Sequence, residues 1–259
     1  MRIAVCMKAV VEPEARIELN SAGALQKSDL RYELNEYDLY AVEEAIRANE
    51  AHDAEVTVVS LGTDEVVQSL RKGLAMGATN AVHIKTDHDL ADPAGSAAVL
   101  AAALRARQPD LVFAGVESDD LGGSQVGVLL AESLGYNCAT MAIGVEISGP
   151  DAKEVKVKRE LEGGTYLDIE VALPAVLTIQ TGINEPRYPT LKGIMASKRK
   201  ELTEMTPAEL GFERLPAACV ETTELSYPPP RELAKMLEGS PDEMVAELLR
   251  LLREEEKVL

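Results

Sequence analysis

Tryptophan is absent from this 259-residue sequence, and the other aromatics are scarce, with two Phe and seven Tyr. Hydrophobic residues still make up 46% of the chain, so the core must be assembled from Ala, Val, Leu and Ile. Such a core suits helices laid closely on a parallel sheet. The length allows one large α/β core, or one core with a small appendage. Cysteine is limited to Cys6, Cys138 and Cys219, far apart and odd in number. The lack of any Cys-x-x-Cys pair removes a zinc site built on paired cysteines, and the lack of a disulfide framework fits a reducing compartment. No stretch approaches the roughly 18 apolar residues of a membrane span. The N-terminal run MRIAVCMKAVVEPEARI meets Glu12 and Glu14 too early for a signal peptide. A cytoplasmic protein without membrane insertion is the expectation. Positive charge is also in short supply, with 26 Lys and Arg against 44 Asp and Glu and a net charge of −18. That field repels phosphate backbones and argues against nucleic-acid binding.

Catalytic signatures are missing too. His52, His83 and His88 have no metal-like spacing and read as surface or loop histidines. No Gly-x-Ser-x-Gly elbow occurs. Cys6 lies inside an apolar run and reads as core rather than nucleophile. Acidic pairs are numerous, but 44 acidic residues make chance pairs inevitable. Nothing assembles a nucleophile, a base and an oxyanion site, so no catalytic residue and no metal site are expected.

What the sequence does carry is a regular alternation. Arg2–Met7 reads as a buried strand, and Ala15–Ser28 as an excursion or hairpin. Asn35 stands as N-cap before EYDLYAVEEAIRANE, where Leu39, Val42, Ala45 and Ile46 recur at helical spacing. Glu55–Leu61 is an alternating β-branched strand. Thr63–Met76 is a helix stopped by Gly77. Ala81–Lys85 is a strand, and Asp92-Pro93 opens an Ala-rich helix through Arg107. Leu111–Ala114 is a strand, and Ser124–Leu134 a helix closed by Gly135. This order predicts an open, mostly parallel sheet with helices on both faces. After residue 138 the rhythm changes. Lys153–Leu161 and Thr165–Val171 alternate around Glu162-Gly163-Gly164 as a β-hairpin, and Ala175–Gln180 is a further buried strand. The rest reads as irregular until a Pro-rich spacer at 227–230 and a helix opened by the capping box Ser240-Pro241-Asp242-Glu243, with Val245, Leu248, Leu249 and Leu252 on one face.

Two segments stand out as sites. Gly115–Gly127, GVESDDLGGSQVG, joins a strand to a helix at the carboxyl edge of the sheet, where ligands of such sheets bind. Gly115, Gly122 and Gly123 let backbone approach a ligand, and Ser124, Gln125 and Val126 lead into a helix N-terminus suited to phosphate. The segment matches neither the dinucleotide fingerprint nor the P-loop, and an ordinary βα turn is the plain alternative. Glu117, Asp119 and Asp120 would hold ribose hydroxyls or face water. The second segment is Asn184–Lys200, NEPRYPTLKGIMASKRK. Leu191, Ile194 and Met195 are apolar among Lys192, Lys198, Arg199 and Lys200, which suggests a partner-docking loop. A loop that covers its own apolar residues is the alternative.

LNEYDLYAVEEA at Leu34–Ala45, GLAMGAT at Gly73–Thr79, KRELEGG at Lys158–Gly164 and the 184–200 stretch together resemble the electron-transfer flavoprotein β-subunit family, in order and spacing from residue 1 to about 205. The resemblance implies an adenine-nucleotide-binding, Rossmann-like domain over 1–205 and a C-terminal arm over 206–259 that packs on a larger α subunit. It implies an FAD held mostly by that α subunit. This chain would hold AMP in an ordinary member, or a second FAD in an electron-bifurcating one. Carried over, the nucleotide site falls on Cys6 (backbone), Asn35 to Asp38, Leu61 and Gly115 to Val126, with Asp120 inside the loop. The partner-recognition residues are Leu191, Ile194, Met195, Lys198 and Lys200. Electrons would arrive from a flavin dehydrogenase of the acyl-CoA dehydrogenase type and leave to a quinone-linked reductase. The chain departs from the family where Glu117 and Ser118 replace Gln-Ala, and where Met7-Lys8-Ala9-Val10-Val11 replaces the Val-Lys-Gln-Val-Pro of bifurcating members. The wording RELEGG and NEPRY is closer to members carrying AMP. The rival functions are a bifurcating NADH-oxidising complex and a stand-alone adenine-nucleotide-binding sensor or hydrolase.

Overall fold

Short runs of Val, Ile, Leu and Ala alternate along the chain with Ala- and Leu-rich amphipathic segments, and each run becomes a strand of one sheet. The computed structural model describes residues 1–28, 30–87, 92–230, 234 and 236–259. In chain order the elements of the first unit, Met1–Thr223, are β1 (Arg2–Cys6), β2 (Ala9–Val11), β3 (Tyr32–Leu34), α1 (Glu36–His52), β4 (Glu55–Gly62), α2 (Val66–Met76), β5 (Asn80–Lys85), α3 (Pro93–Arg105), β6 (Leu111–Gly115), α4 (Val126–Leu134), β7 (Asn137–Ile147), β8 (Glu154–Leu161), β9 (Thr165–Ala172), β10 (Ala175–Ile179), α5 (Leu191–Ser197) and β11 (Leu202–Met205).

The large sheet has nine strands in the order β11-β5-β4-β1-β6-β10-β7-β8-β9. It is parallel from β11 to β7, and β8 and β9 add an antiparallel edge. The expected open, mostly parallel sheet is therefore present. Successive residues of each strand serve opposite faces. Ile3 and Val5 pack with α1 and α2 residues such as Val42, Ile46, Leu70 and Leu74. Ala4 and Cys6 pack with α3 and α4 residues such as Val99, Leu104 and Leu130. Phe113 is wholly buried in the first layer.

The chain runs from β1 outward through β4 to β5, then returns across the sheet to β6 on the other side of β1. The strand order thus reverses between β1 and β6. The carboxyl ends of these two strands border the crevice where ligands of such sheets bind.

Several expectations are refined. The β8–β9 hairpin pairs Leu161 with Thr165 and Glu154 with Ala172, joined by the turn at Glu162–Gly164. The excursion between Ala15 and Ser28 is enclosed by the β2–β3 ladder and holds one bridge, Leu19 to Leu25. Asp92 caps α3 as expected: its carboxylate accepts the N–H of Gly95 at 2.6 Å and also that of Cys219 at 3.0 Å. Strand β7 lies in a stretch given no element from the sequence, and β11 in the stretch read as irregular. The residues after β11 continue in the same unit, where Leu210, Phe212 and Leu215 pack on the α3–α4 core.

The second unit, Glu224–Leu259, contains α6 (Pro241–Arg250) and a wide helical turn over Leu251–Glu255. The predicted capping box is formed, with the Ser240 N–H donating to the Glu243 carboxylate at 2.8 Å and the Glu243 N–H donating back to Ser240 Oγ. Val245, Leu248 and Leu249 on its apolar face are exposed.

Candidate functional site

Three pieces of chain meet at the crevice between β1 and β6. The first leaves β1 through Met7 and Lys8. It is held to β4 by the Met7 N–H donating to the Val59 carbonyl and by Ser60 Oγ donating to the Met7 carbonyl, both at 2.8 Å. The second is the start of α1, where the Asn35 N–H donates to the Lys8 carbonyl at 3.0 Å. The third is the loop that follows Gly115. Asp38 joins all three. Its carboxylate is buried and accepts the N–H of Lys8 at 2.7 Å and that of Gly115 at 2.9 Å. Burial pushes the Asp38 carboxyl up to about 7, against the pull of these two N–H groups and of the Asn35 and Lys8 side chains. Gly115 is required here: a β-carbon would stand 2.6 Å from both Asp38 Oδ1 and Tyr37 Cβ.

Asn35 has the backbone position of an N-cap, but its side chain makes no capping bond. It crosses to the loop instead. Nδ2 donates to the Glu117 carbonyl at 2.9 Å and Oδ1 accepts the Asp119 N–H at 3.0 Å. The cap of α1 comes from across the crevice, where Asp119 accepts the Glu36 N–H at 3.0 Å. An N-terminal helix N–H is thereby satisfied by a residue 83 positions away. The other two carboxylates of the loop are also engaged. Glu117 accepts from Tyr37 Oη at 3.1 Å and from Ser124 Oγ at 2.9 Å. Asp120 takes Lys8 Nζ at 2.6 Å, and the same ammonium reaches Ser118 Oγ at 3.2 Å. None of the three caps α4, whose first turn has no side-chain capping bond.

Of the residues singled out from sequence, Asn35, Asp38, Gly115 and Asp120 are brought together by these bonds. Gly122 and Gly123 are exposed at the tip of the same loop. Ser124 has φ +51°, so α4 starts at Val126 rather than at Ser124, and Gln125 occupies its cap position. Cys6 is buried at the end of β1, and desolvation, with Asp38 nearby, pushes its thiol up to about 12. It is a core residue and no nucleophile. Leu61 stands apart, near the end of β4 on the other side of β1, half-buried against the α3–α4 core. Lys8 and Tyr37 had no side-chain role in the sequence reading, because their partners lie 80 or more residues away.

The second candidate segment is no irregular loop. Thr190 Oγ1 accepts the Gly193 N–H at 3.0 Å and starts the seven-residue helix α5. Gly193 lies so close to the Ala75 carbonyl of α2 that a side chain there has no room. Leu191 is 84% exposed and Met195 69%, with Ile194 beside them and Tyr188 at 93%. The segment before α5 is anchored firmly. Arg187 spans Glu43 and Glu50 of α1, with Nε to Glu43 Oε2 at 2.8 Å and Nη2 to Glu43 Oε1 at 2.9 Å. Asn184 Nδ2 donates to the Tyr40 carbonyl at 3.0 Å and to Glu44 at 2.9 Å. Lys198 is exposed, whereas the Lys200 ammonium donates to the Leu74 and Ala78 carbonyls at the end of α2.

One histidine reading is corrected. His83 is neither at the surface nor in a loop: it lies in β5 and is fully buried, because β4 and the edge strand β11 flank it. His52 is half-buried at the end of α1, and His88 lies outside the described residues.

No helix among the described residues is long and apolar enough to cross a membrane. Residues 23–210 match the family model described as the electron transfer flavoprotein domain. Over its full length the chain is 37% identical to the electron transfer flavoprotein subunit beta of Bacillus subtilis, with 100% of each chain covered. It is 35% identical to the subunit of that name from Methylophilus methylotrophus, with 98% of each covered. It is 33% identical to the mitochondrial one from Arabidopsis thaliana, with 96% of this chain and 97% of that one covered.

Proposed function

We propose, because this chain belongs to the electron transfer flavoprotein family and is a β subunit, that it is the smaller half of a cytoplasmic heterodimer carrying electrons from flavin dehydrogenases to a quinone-linked reductase. The FAD, held mostly by the α subunit, supplies the redox chemistry. This chain supplies no bond-making residue. Its part is to bind AMP in the crevice between β1 and β6, to support the flavin-bearing partner, and to present α5 to the dehydrogenase.

The observation that carries the nucleotide assignment is the commitment of the three loop carboxylates. Glu117 is taken by Tyr37 and Ser124, Asp119 by the start of α1, and Asp120 by Lys8. An uncommitted carboxylate at the start of α4 would repel phosphate. Glu117 and Asp119 keep their charge, but their oxygens are turned to these partners and Lys8 neutralises Asp120, so the N–H groups at Val126 and beyond are left to an anion. Asn35 and Asp38 hold the loop in that form.

The docking assignment rests on Leu191 and Met195, large apolar groups on a short helix, and on Tyr188 just before it, in a segment anchored by Gly193 and Arg187. Rigid, exposed apolar anchors ringed by charge suit transient protein contacts. The residues of Glu224–Leu259, with an exposed apolar face on α6, are assigned to the α subunit.

The test is to purify the heterodimer with its α subunit and mix it with an acyl-CoA dehydrogenase and substrate. Bleaching of the carrier flavin, followed by reoxidation on adding a quinone-linked reductase, is expected. A flavin that stays oxidised, or a β chain that hydrolyses nucleotides on its own, contradicts the carrier reading.

A further inference from the structure

The geometry points to a site for a divalent transition metal ion such as zinc, formed by Asp64, His83 and Glu204 at the β11 edge of the sheet. The three belong to separate elements. Asp64 lies in the turn between β4 and α2, His83 in β5, and Glu204 opposite it in β11. Their ligand atoms all lie within 4.8 Å of one another.

His83 makes this more than an acidic cluster. It is wholly buried, between Val82 and Ile84 in the strand. Its Nε2 lies 3.0 Å from the Gly62 carbonyl oxygen. A carbonyl oxygen only accepts, so Nε2 carries the proton and Nδ1 is the free lone pair of the neutral ring. Nδ1 is buried and has no hydrogen-bond partner among the described residues. It faces Glu204 Oε2 at 3.7 Å, too far for a hydrogen bond. A lone pair directed at a carboxylate is repulsive unless a positive charge lies between them.

A metal ion supplies that charge. Metal-bound histidines commonly donate the remote ring N–H to a backbone carbonyl, which fixes the tautomer, and the Gly62 contact does so here. The side chains of Asp64 and Glu204 are 72% and 54% exposed, so they can rotate to bring their oxygens to the ~2.0–2.2 Å of a zinc bond. One imidazole nitrogen with two carboxylates suits a first-row transition ion better than calcium or magnesium. Three protein ligands leave a fourth position for water. Lys85 competes, because its ammonium holds Asp64 Oδ1 at 2.8 Å and must be displaced. The bound ion would clip β11 to β5 and to the turn before α2. It would stabilise the edge strand that follows α5.

The test is calorimetric titration of zinc chloride into the metal-stripped, tag-free full-length protein in complex with its α subunit, together with thermal melts. One saturable zinc ion per β chain is expected, with melting raised by zinc. Asp64→Asn and Glu204→Gln, both at exposed positions that leave the core intact, should each weaken binding about tenfold or more. Lys85→Gln should tighten it, and His83→Gln should abolish it. Absence of saturable zinc binding overturns the site. So does binding whose affinity is unchanged in both Asp64→Asn and Glu204→Gln, which would place the ion elsewhere.

Discussion

The side-chain amide of Asn35 is bonded to the backbone of Asp119: its Oδ1 accepts the Asp119 N–H at 3.0 Å. The carboxylate of Asp119 in turn accepts the N–H of Glu36, the residue after Asn35. The two residues thus hold one another reciprocally across the crevice, and the loop over Gly115–Val126 takes its form from that pair.

Replacing Asn35 with Ala removes both side-chain bonds and leaves the Asp119 N–H and the Glu117 carbonyl without their partner. A loss of about 1–3 kcal/mol is expected from urea denaturation. Bound nucleotide should also be released faster during dialysis. Asn35→Asp keeps the acceptor but turns a buried carboxylate oxygen on the Glu117 carbonyl, so it should destabilise at least as much as Asn35→Ala.

Asp38 gives a pH dependence. Its folded-state carboxyl is raised to about 7 from an ordinary value of 3.8, so between those values the folded protein binds the extra proton. Stability from this group is therefore fully present below about 3.8 and lost progressively as pH rises to about 7. Melts from acid to mildly alkaline pH should show that decline. Asp38→Asn should flatten it. The same substitution places an NH2 group against either the Lys8 or the Gly115 N–H, so it should also lower stability by about 1–3 kcal/mol.

Arg187 is predicted to be irreplaceable by Lys. Its fork meets two carboxylates, one of them the buried Glu43, and an ammonium cannot reproduce that geometry. Arg187→Lys should cost about 2 kcal/mol in urea denaturation. Limited proteolysis should then cut faster between residues 184 and 200.

Leu191 has the opposite signature. At 84% exposure it contributes little to the fold, so Leu191→Ala should leave melting temperature and flavin content unchanged. Electron acceptance from the dehydrogenase should slow, read as a higher KM for the carrier. Unchanged kinetics would remove α5 from the docking surface.

The parallel core was legible because β1, β4, β5, β6 and β10 are short runs rich in apolar or β-branched residues, most of them set between capped or Gly-stopped helices. Strand β7 was not, because its sequence NCATMAIGVEI is poor in β-formers and the pairing register shifts around Met141, which has φ +56°. Strand β11 has four residues, too few to show alternation. Helix α5 was hidden by Pro189 before it and Gly193 within it, whose value lies in packing against Ala75 rather than in helix propensity. At the site, the loop and its glycines were visible, and so was Asn35. The role of Asn35 was obscured by its own pattern, since a cap position explained it completely. The real cap, Asp119, sits 83 residues from Glu36, beyond any local signal. Lys200 shows the same limit: it reads as part of a basic patch, yet its ammonium closes the end of α2.

The most direct test of the account is the nucleotide content of the purified heterodimer. The complex with its α subunit is denatured, and the released FAD and AMP are quantified by chromatography against protein. The account predicts one FAD and one AMP per heterodimer, with the AMP lost selectively in Asn35→Ala. Two FAD and no AMP would contradict it, and would make the crevice between β1 and β6 the seat of a second flavin in an electron-bifurcating enzyme.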